Sequence, residues 1–311
     1  MDFLKAVTVG PVLDMADAPL FLVEVILGGM LTGVLYALVA LGFVLIFKAS
    51  GVFNFAQGAM VLFAALTLVG LMERGVAVWL AFLMTLGVMT ALAYAIERLI
   101  LRPLVNQRDI SLFMATLGLS FLLEGIGQLV WGSNVKRLDV GLPDQSFKVY
   151  GVLVNQLDLS AAVIAAVLVT LLAVFFQRTR IGRALRAVAD DHQAALSVGI
   201  PLNTIWVIVW SVAGIVALVA GIMWGAKSGV QFSLALIALK ALPVLILGGF
   251  TSVPGAIVGG LIIGVGEKVA EVYWGPLAGG AIENWFAYML ALAFLLFRPQ
   301  GLFGERIIER V

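Results

Sequence analysis

The chain has 311 residues, of which 62% are hydrophobic and only 12% are charged, and its mean hydropathy is +1.12. Soluble domains are typically about 45–50% apolar and about 25% charged, so this composition indicates an integral membrane protein. The formal net charge is only +1, without a basic tract, which gives no electrostatic basis for binding nucleic acid. There is no cysteine and one histidine, His192, so we expect no metal site and no cofactor in this chain.

The N-terminal segment, residues 1–19, carries Asp2, Asp14 and Asp17 but only one basic side chain, Lys5. A signal peptide starts with a positively charged region, and this segment has the opposite charge. We therefore expect residues 1–19 to be retained and to lie outside the membrane. The remaining residues, 20–311, are interpreted as one transmembrane domain.

Nine apolar stretches follow one another along the chain. A helix needs about 20 apolar residues to cross the hydrocarbon core of a bilayer, and each stretch is long enough or nearly so. We therefore predict an all-α polytopic membrane protein, a bundle of eight to nine transmembrane helices. The stretches are 20–47, 53–73, 77–97, 112–131, 159–176, 204–225, 232–249, 254–273 and 283–297.

Three groups of arginines indicate the orientation, because short loops rich in Lys and Arg stay in the cytoplasm. Two stretches separate the first group from the second and four separate the second from the third, so all three groups can lie on one side. This pattern predicts a cytoplasmic C-terminus and a periplasmic loop at 132–158. The side of the N-terminus depends on whether residues 50–60 span the membrane or dip in and return. The groups are Arg98, Arg102 and Arg108; Arg178, Arg180, Arg183 and Arg186; and Arg298, Arg306 and Arg310.

A polar interruption, "SGVFNFAQGAM" at 50–60, separates the first two stretches, and a similar one, "GGFTSVPGAIV" at 248–258, separates two later stretches. Aligned, the two share five residues in eleven positions. One interpretation is chance in a chain rich in Gly, Ala and Val. The other is an internal repeat, in which two related halves carry broken helices at corresponding positions near the pathway. The identities are Gly51/Gly248, Phe53/Phe250, Gly58/Gly255, Ala59/Ala256 and Val61/Val258.

In the repeat interpretation both breaks line a pathway, because non-helical backbone at membrane depth must be covered by protein or by water. The polar side chains of the breaks can satisfy freed backbone groups and are expected to face water-accessible space. The glycine after each break is expected to provide close packing or a positive φ. The predicted pathway residues are Asn54, Gln57, Gly58, Lys240, Thr251, Ser252, Pro254 and Gly255.

Lys240 lies within the apolar stretch "LALIALKALPVLILGGF", three residues before Pro243. A charge at the centre of a membrane helix costs about 2.5–3.5 kcal/mol on insertion scales, so this side chain is expected to face the protein interior. It either contacts the pathway or serves a structural purpose, by pairing with a buried acid or by snorkelling. Glu124 and Glu267 are the candidate partners.

The segment "QRTRIGRALRAVADDHQAALSVGIPL" follows the fifth stretch and combines arginines with alanines before two stop signals, Gly199 and Pro201. This pattern predicts a short amphipathic helix on the cytoplasmic face. An alternative is a basic loop that only sets the topology. The small residues favour a contact surface, because Ala and Gly let the backbone of another protein approach closely.

The core of this segment, "AALSVG", is similar to the Ala-Ala-x-x-x-Gly loop by which permeases of ABC importers dock their ATPase. The longer segment "GRALRAVADDHQAALSVGI" resembles the LivH-type permeases of branched-chain amino acid importers. So do "NFAQG" at 54–58, "ERLILRPL" at 97–104, "ATLGLS" at 115–120, "LGGFTSVPGAIVGG" at 247–260 and "RPQGLFG" at 298–304. The resemblance covers most of the chain from residue 30 onward.

This resemblance makes residues 20–311 a permease domain and residues 178–201 its coupling segment. Replacing Ala195 with Arg, or Gly199 with a bulky residue, is expected to block docking of the ATPase without unfolding the bundle. The implied coupling residues are Arg183, Arg186, Asp190, Asp191, Ala194, Ala195 and Gly199.

The resemblance also implies a multi-pass subunit in the bacterial inner membrane that is not an enzyme. Its expected partners are a second related permease, two cytoplasmic ATPases, a periplasmic binding protein and lipid. ATP chemistry belongs to the ATPases, because this sequence contains no Gly-x-x-x-x-Gly-Lys-Ser/Thr loop. Branched-chain amino acids are the expected substrates, and other amino acids, urea or short amides are alternatives. A self-sufficient secondary transporter or channel would need ion-coupling carboxylates, for which only Glu24, Glu124 and Glu267 are candidates.

Overall fold

The computed structural model describes residues 8–51, 53–104, 107–190 and 192–304. Five of the charged residues discussed above lie outside these ranges: Asp2, Lys5, Asp191, Arg306 and Arg310. In chain order the elements are α1 (Gly10–Asp17), α2 (Pro19–Ser50), α3 (Gln57–Glu73), α4 (Val78–Ile96), α5 (Asp109–Trp131), β1 (Ser146–Val149), β2 (Val152–Asn155), α6 (Gln156–Arg178), α7 (Arg180–Asp190), α8 (His192–Ser197), α9 (Leu202–Ser228), α10 (Ile237–Gly248), α11 (Val253–Tyr273), α12 (Gly275–Ala278) and α13 (Glu283–Phe297).

Each of the nine predicted apolar stretches contains a helix, which confirms the all-α polytopic class. Within the described ranges, six helical segments are long and apolar enough to cross a membrane: Pro19–Ser50, Val78–Leu104, Ile110–Trp131, Gln156–Arg178, Leu202–Ser228 and Val253–Tyr273. Three apolar helical segments are shorter: Gln57–Glu73, Phe232–Gly248 and Glu283–Phe297. The number of eight to nine transmembrane helices therefore stays a prediction.

The residues form two compact units, and each unit collects separate parts of the chain. Unit 1 comprises Met1–Ala37, Gly141–Ile164 and Lys240–Val311, and unit 2 comprises Leu38–Val140 and Ala165–Leu239. Helices α2, α6 and α10 contribute residues to both units.

Unit 1 contains an antiparallel crossing of α2 and α11 through glycines. Gly29 lies against Gly264 and Gly33 lies against Gly260, so the two backbones are in direct contact. A Cβ atom on Gly29 would lie 2.7 Å from the Cα of Val265. Small residues four apart allow such close approach of membrane helices.

The β-hairpin of unit 1 belongs to the loop predicted to be periplasmic. Strands β1 and β2 pair antiparallel, from Ser146 opposite Asn155 to Val149 opposite Val152. Tyr150 and Gly151 form the turn with φ values of 50° and 90°, and two positive φ angles match the right-handed twist of a hairpin. The Leu153 N–H donates to Oε2 of Glu24 at 3.2 Å, which ties the hairpin to α2.

Unit 2 is built around α3, in which every residue from Gln57 to Gly70 is buried. This helix is apolar nearly all round because it has no lipid-facing or solvent-facing side. Helices α3, α5 and α9 run in the same direction, since Lys136, which follows α5, pairs with Glu73 at the end of α3 and with the backbone of Val230 after α9. At the other end of unit 2, Nε1 of Trp206 donates to the carbonyl of Ala49, so the end of α2 lies beside the start of α9.

Candidate functional site

The first break, residues 51–56, separates α2 from α3, and Asn54 supplies the hydrogen bonds that hold it. Oδ1 of Asn54 accepts from the Ala56 N–H at 3.1 Å, and the Asn54 carbonyl accepts from the Gln57 N–H at 3.1 Å. Helix starts leave several N–H groups without intrahelical partners. Asn54 therefore satisfies part of the beginning of α3 from within the break.

Gln57, the first residue of α3, is fully buried, with 0% of its surface exposed. Its Oε1 accepts a long hydrogen bond of 3.3 Å from Nδ2 of Asn54, and its Nε2 has no hydrogen-bond partner among the described residues. A buried donor without a partner costs about 1–3 kcal/mol. Asn54 is equally buried. The expectation that these two side chains face water-accessible space is therefore not met in this structure, because protein covers the break.

The cover over the first break comes from unit 2 itself. Oγ1 of Thr116 on α5 donates to the carbonyl of Phe53 at 3.2 Å, and the ring of Phe55 packs edge-on against Phe113 at 4.6 Å. Phe53 also stacks on Phe43 of α2 at 4.9 Å. These contacts satisfy and shield the non-helical backbone, which is the condition for having such backbone at membrane depth.

The second break, residues 249–252, separates α10 from α11. Gly249 has a φ of 101°, a backbone conformation that favours glycine and ends α10. Oγ of Ser252 accepts from the Gly255 N–H at 3.0 Å and so caps α11. The N–H groups of Leu302 and Phe303 donate to the last carbonyls of α10, at Leu247 and Gly248. The motif "RPQGLFG" thus supports this break.

The exposure of the second break differs from that of the first. Thr251 and Ser252 are partly exposed and Pro254 is exposed, whereas Asn54 and Gln57 are buried.

The glycine after each break is packed tightly, and neither has a positive φ. A Cβ on Gly58 would lie 2.8 Å from the Cβ of Ala238, and a Cβ on Gly255 would lie 2.7 Å from the carbonyl carbon of Gly248. Close packing, and not backbone conformation, is therefore what these glycines provide.

Lys240 forms a partly buried ion pair in unit 1. Its Nζ lies 2.7 Å from Oε1 of Glu267 on α11 and 3.4 Å from Oε1 of Glu283 on α13. The hydroxyl of Tyr36 on α2 donates to the same Oε1 of Glu267 at 2.9 Å. Of the two predicted partners, Glu267 is the one that pairs. Glu124, on α5, instead accepts from Oγ of Ser120 at 3.4 Å. A role of Lys240 in the pathway stays a prediction.

Sequence reasoning missed several residues of unit 1. Gly29, Gly33, Gly260 and Gly264 make the α2–α11 crossing, and their Gly-x-x-x-Gly spacing was a readable signal. Glu271 was missed too: its carboxylate accepts from the N–H groups of residues 281 and 283 and fixes the start of α13. No local pattern distinguishes this carboxylate from other acids near a helix end.

The predicted coupling segment forms α7 and α8 in unit 2. Arg186 donates to the carbonyl of Phe176 at 2.5 Å and to that of Gln177 at 3.4 Å, so it caps the end of α6. Arg183 is exposed, and Leu185 and Val188 form the buried side of α7. Arg186 is therefore a structural residue in this chain as well as a predicted coupling residue.

Helix α8 and the residues after it expose two of the three small residues that sequence reasoning singled out, Ala194 and Gly199. Ala194 is exposed, but Ala195 is only 2% exposed and packs inside unit 2. An arginine at position 195 is therefore expected to disturb the packing of this chain as well, so this variant does not separate docking from folding. The exposed apolar side chains are Leu196 and Val198, at 53% and 75%. Gly199 is exposed with a φ of 84°.

These features define a polytopic membrane transport subunit: apolar helices, capped breaks within them and a surface segment with exposed apolar residues. The family model described as "Branched-chain amino acid transport system / permease component" matches residues 25–298. The chain belongs to this family, whose members are transporter components and not enzymes.

Curated relatives match the chain nearly end to end. The high-affinity branched-chain amino acid transport system permease protein BraD of Pseudomonas aeruginosa is 30% identical over 301 residues, covering 92% of this chain and 97% of that protein. The corresponding permease protein LivH of Escherichia coli is 28% identical over 317 residues, covering 96% of this chain and all of that protein, 100%. LivH of Salmonella typhimurium is 26% identical over 316 residues, with the same coverage of 96% and 100%.

Proposed function

We propose that this chain is the permease subunit of an ABC importer and translocates branched-chain amino acids that a periplasmic binding protein delivers. The family match over residues 25–298 carries this proposal. Membership implies a membrane complex with ATPases and a binding protein. The finer composition, with a second related permease, two cytoplasmic ATPases and residues 20–311 as one permease domain, is part of the proposal.

Uptake by the reconstituted importer tests this function. The permease pair, the ATPases and the binding protein in proteoliposomes should accumulate leucine, isoleucine or valine only when ATP and the binding protein are both present. Accumulation of urea or a short amide instead would identify a different substrate class. Uptake that needs neither ATP nor the binding protein would contradict the proposal and favour a secondary transporter.

We also propose that the starts of α3, α5 and α9 face the cytoplasm in the inner membrane. These helices run in the same direction, α5 follows the arginines at 98–108, and α9 follows those at 178–186. Because α2 ends beside the start of α9, α2 starts on the periplasmic side. In this arrangement α2 runs from the periplasm to the cytoplasm and α3 runs back towards the periplasm, so residues 50–60 connect two membrane helices at the cytoplasmic side and do not form a re-entrant loop.

Thiol labelling measures this orientation, since the chain contains no cysteine of its own. A single Cys at Lys148 in the hairpin is expected to react with a membrane-impermeant reagent added outside intact cells. A single Cys at Arg183 or Arg298 is expected to react only after the cells are opened, because these positions lie in arginine-rich segments. Reaction at position 183 from outside would reverse the whole orientation.

Both breaks, together with Lys240, are proposed to contribute to the substrate pathway, with Gln57 as the residue tested first. Gln57→Leu removes an amide whose Nε2 has no partner and whose Oε1 makes one long hydrogen bond. We expect the free energy of unfolding to change by less than about 1 kcal/mol, because the two effects offset each other. Uptake is expected to fall at least about tenfold, which corresponds to about 1.4 kcal/mol in the transport step.

Thr67→Val is the matched control for Gln57→Leu, because Thr67 is also buried in α3 and bonds only within its own helix, to the carbonyl of Phe63. This control is expected to transport normally. If uptake is unchanged in Gln57→Leu, the first break serves packing and Gln57 is not part of the substrate pathway.

Docking of the ATPase is proposed to use the exposed apolar residues Leu196 in α8 and Val198 directly after it, together with the predicted coupling residues. Val198→Asp places a charge where 75% of the side chain is exposed, so the fold should tolerate it while an apolar contact with the ATPase should not. We expect the ATPase to be lost during purification of the complex. Val149→Asp on the hairpin, at a position 41% exposed, is the control. Retention of the ATPase by the Val198 variant would place the contact elsewhere.

A further inference from the structure

Helix α5 carries three polar residues that its packing does not explain. Ser120, Glu124 and Gln128 follow one another at four-residue intervals, so they form one polar stripe along the second half of the helix. Ser120 and Glu124 are partly exposed and Gln128 is exposed. The stripe lies in a segment, Ile110–Trp131, that is long and apolar enough to cross a membrane.

The stripe is distinct from the two other faces of α5. The face that packs in unit 2 carries Thr116, Leu119 and Leu123, which are at most 4% exposed. At about 100° per residue, the exposed apolar face with Leu122 and Leu129 points away from the stripe. The apolar face suits lipid, but the stripe does not.

Glu124 is the residue that makes lipid contact unfavourable for the stripe. Its carboxylate accepts one hydrogen bond of 3.4 Å from Ser120, and it forms no ion pair with a lysine or arginine among the residues that the structure describes. A charged group on a membrane helix is costly in lipid, and such groups face a protein interior or a water-filled cavity. Because Glu124 is only partly buried within its own chain, water, a ligand or a neighbouring subunit has to complete its surroundings.

We propose that the polar stripe of α5 lines the water-filled entrance of the importer and that Glu124 binds the ammonium group of the arriving amino acid. This proposal rests on the proposed function. The second half of α5 lies towards the periplasm in the proposed orientation, where substrate arrives. A carboxylate is the complement of an ammonium group and forms charge-assisted hydrogen bonds with it. Phe121, 67% exposed beside the stripe, offers apolar surface to the branched side chain.

The water access of the stripe is tested first, by single cysteines in the complete importer. Ser120→Cys and Gln128→Cys should react with a membrane-impermeant thiosulfonate added from the periplasmic side. Gly118→Cys and Gly125→Cys are matched controls at the same depth, because both glycines lie on the exposed apolar side with no atom within 4 Å of an added Cβ. They should remain unreactive. Equal reaction at all four positions, or none at the stripe, would overturn the proposal.

The charge preference of the stripe is tested second, with Ser120→Cys and two reagents of opposite charge. The carboxylate of Glu124, about 5 Å away, should attract the cationic reagent and repel the anionic one. The rate of reaction with the cationic thiosulfonate, divided by the rate with the anionic one, should therefore fall about tenfold when Glu124→Gln is added. An unchanged ratio would mean that Glu124 is neutralised by a group of the second permease, and that result would overturn the assignment.

Transport by the variants separates this inference from the proposed function. Glu124→Gln should lower leucine uptake at least about tenfold while Glu124→Asp retains more of it, since a shorter carboxylate still attracts an ammonium group. Ser111→Ala, which removes a hydroxyl from the apolar side of α5, should transport normally. If the unmodified importer takes up no branched-chain amino acid, the proposed function fails. If uptake is normal in Glu124→Gln, only this inference fails.

Discussion

Replacing Gly29 with valine is expected to destabilise the permease strongly, whereas the same change at Gly28 should be tolerated. A Cβ on Gly29 would lie 2.7 Å from the Cα of Val265 and 2.8 Å from the carbonyl oxygen of Gly264, and Gly28 has no atom within 4 Å of that position. Overpacking a core typically costs about 1–3 kcal/mol and occasionally more. Because the clash at Gly29 is with backbone, no side chain can rotate to relieve it, so the upper end of this range is expected.

The measurement is the yield of monodisperse protein in detergent and its resistance to thermal unfolding. The two glycines are adjacent on α2, so helix propensity and expression burden are the same in both variants. Equal stability of the Gly29 and Gly28 variants would contradict the close α2–α11 crossing.

Lys240→Met is expected to cost about 3–5 kcal/mol of stability, because it leaves the carboxylate of Glu267 buried without its cation. The Glu267 side chain is only 6% exposed, so solvent cannot replace the lysine. The double variant Lys240→Met with Glu267→Gln removes both charges and keeps an oxygen that accepts from Tyr36. Replacing a buried ion pair as a whole is often neutral or stabilising, so this variant should recover most of the loss.

The free energy of unfolding by denaturant in detergent is compared among the parent, Lys240→Met and the double variant. Leucine uptake is then measured for the double variant. Recovery of both stability and uptake assigns Lys240 a structural role. A Lys240→Met protein that is as stable as the parent but does not transport would instead place Lys240 in the pathway, as sequence analysis predicted.

The fold class and the position of nearly every helix could be predicted because apolar length is a local property of the chain. The breaks were also readable, since Gly51 and Gly249 interrupt apolar sequence and both have the positive φ that ends a helix. In each break a polar side chain accepts a backbone hydrogen bond: Asn54 from the Ala56 N–H just before α3, and Ser252 from the Gly255 N–H within α11.

The contacts of the sites could not be predicted, because they join residues that are far apart in sequence. Lys240 had two candidate acids, and only the packing of α10 against α11 selects Glu267. The burial of Ala195 was not readable either: its alanine-rich sequence suggests a surface for another protein, but only 2% of this residue is exposed. Gln57 was predicted to face water in the pathway because it is polar. The tertiary packing that buries it could not be read from the sequence.

The short helix α13 has a consequence for the lipid around the protein. Its fifteen residues, Glu283–Phe297, rise only about 22 Å, whereas the hydrocarbon core of a bilayer is about 30 Å thick. Among the shorter apolar helices, α3 is enclosed by protein, whereas α13 exposes one face with Trp285, Met289, Leu292 and Leu296. A short exposed helix is accommodated by local thinning of the bilayer at a cost for each ångström of mismatch. The thickness of the membrane is therefore expected to act on this protein at α13, whose first residue, Glu283, lies 3.4 Å from Nζ of Lys240.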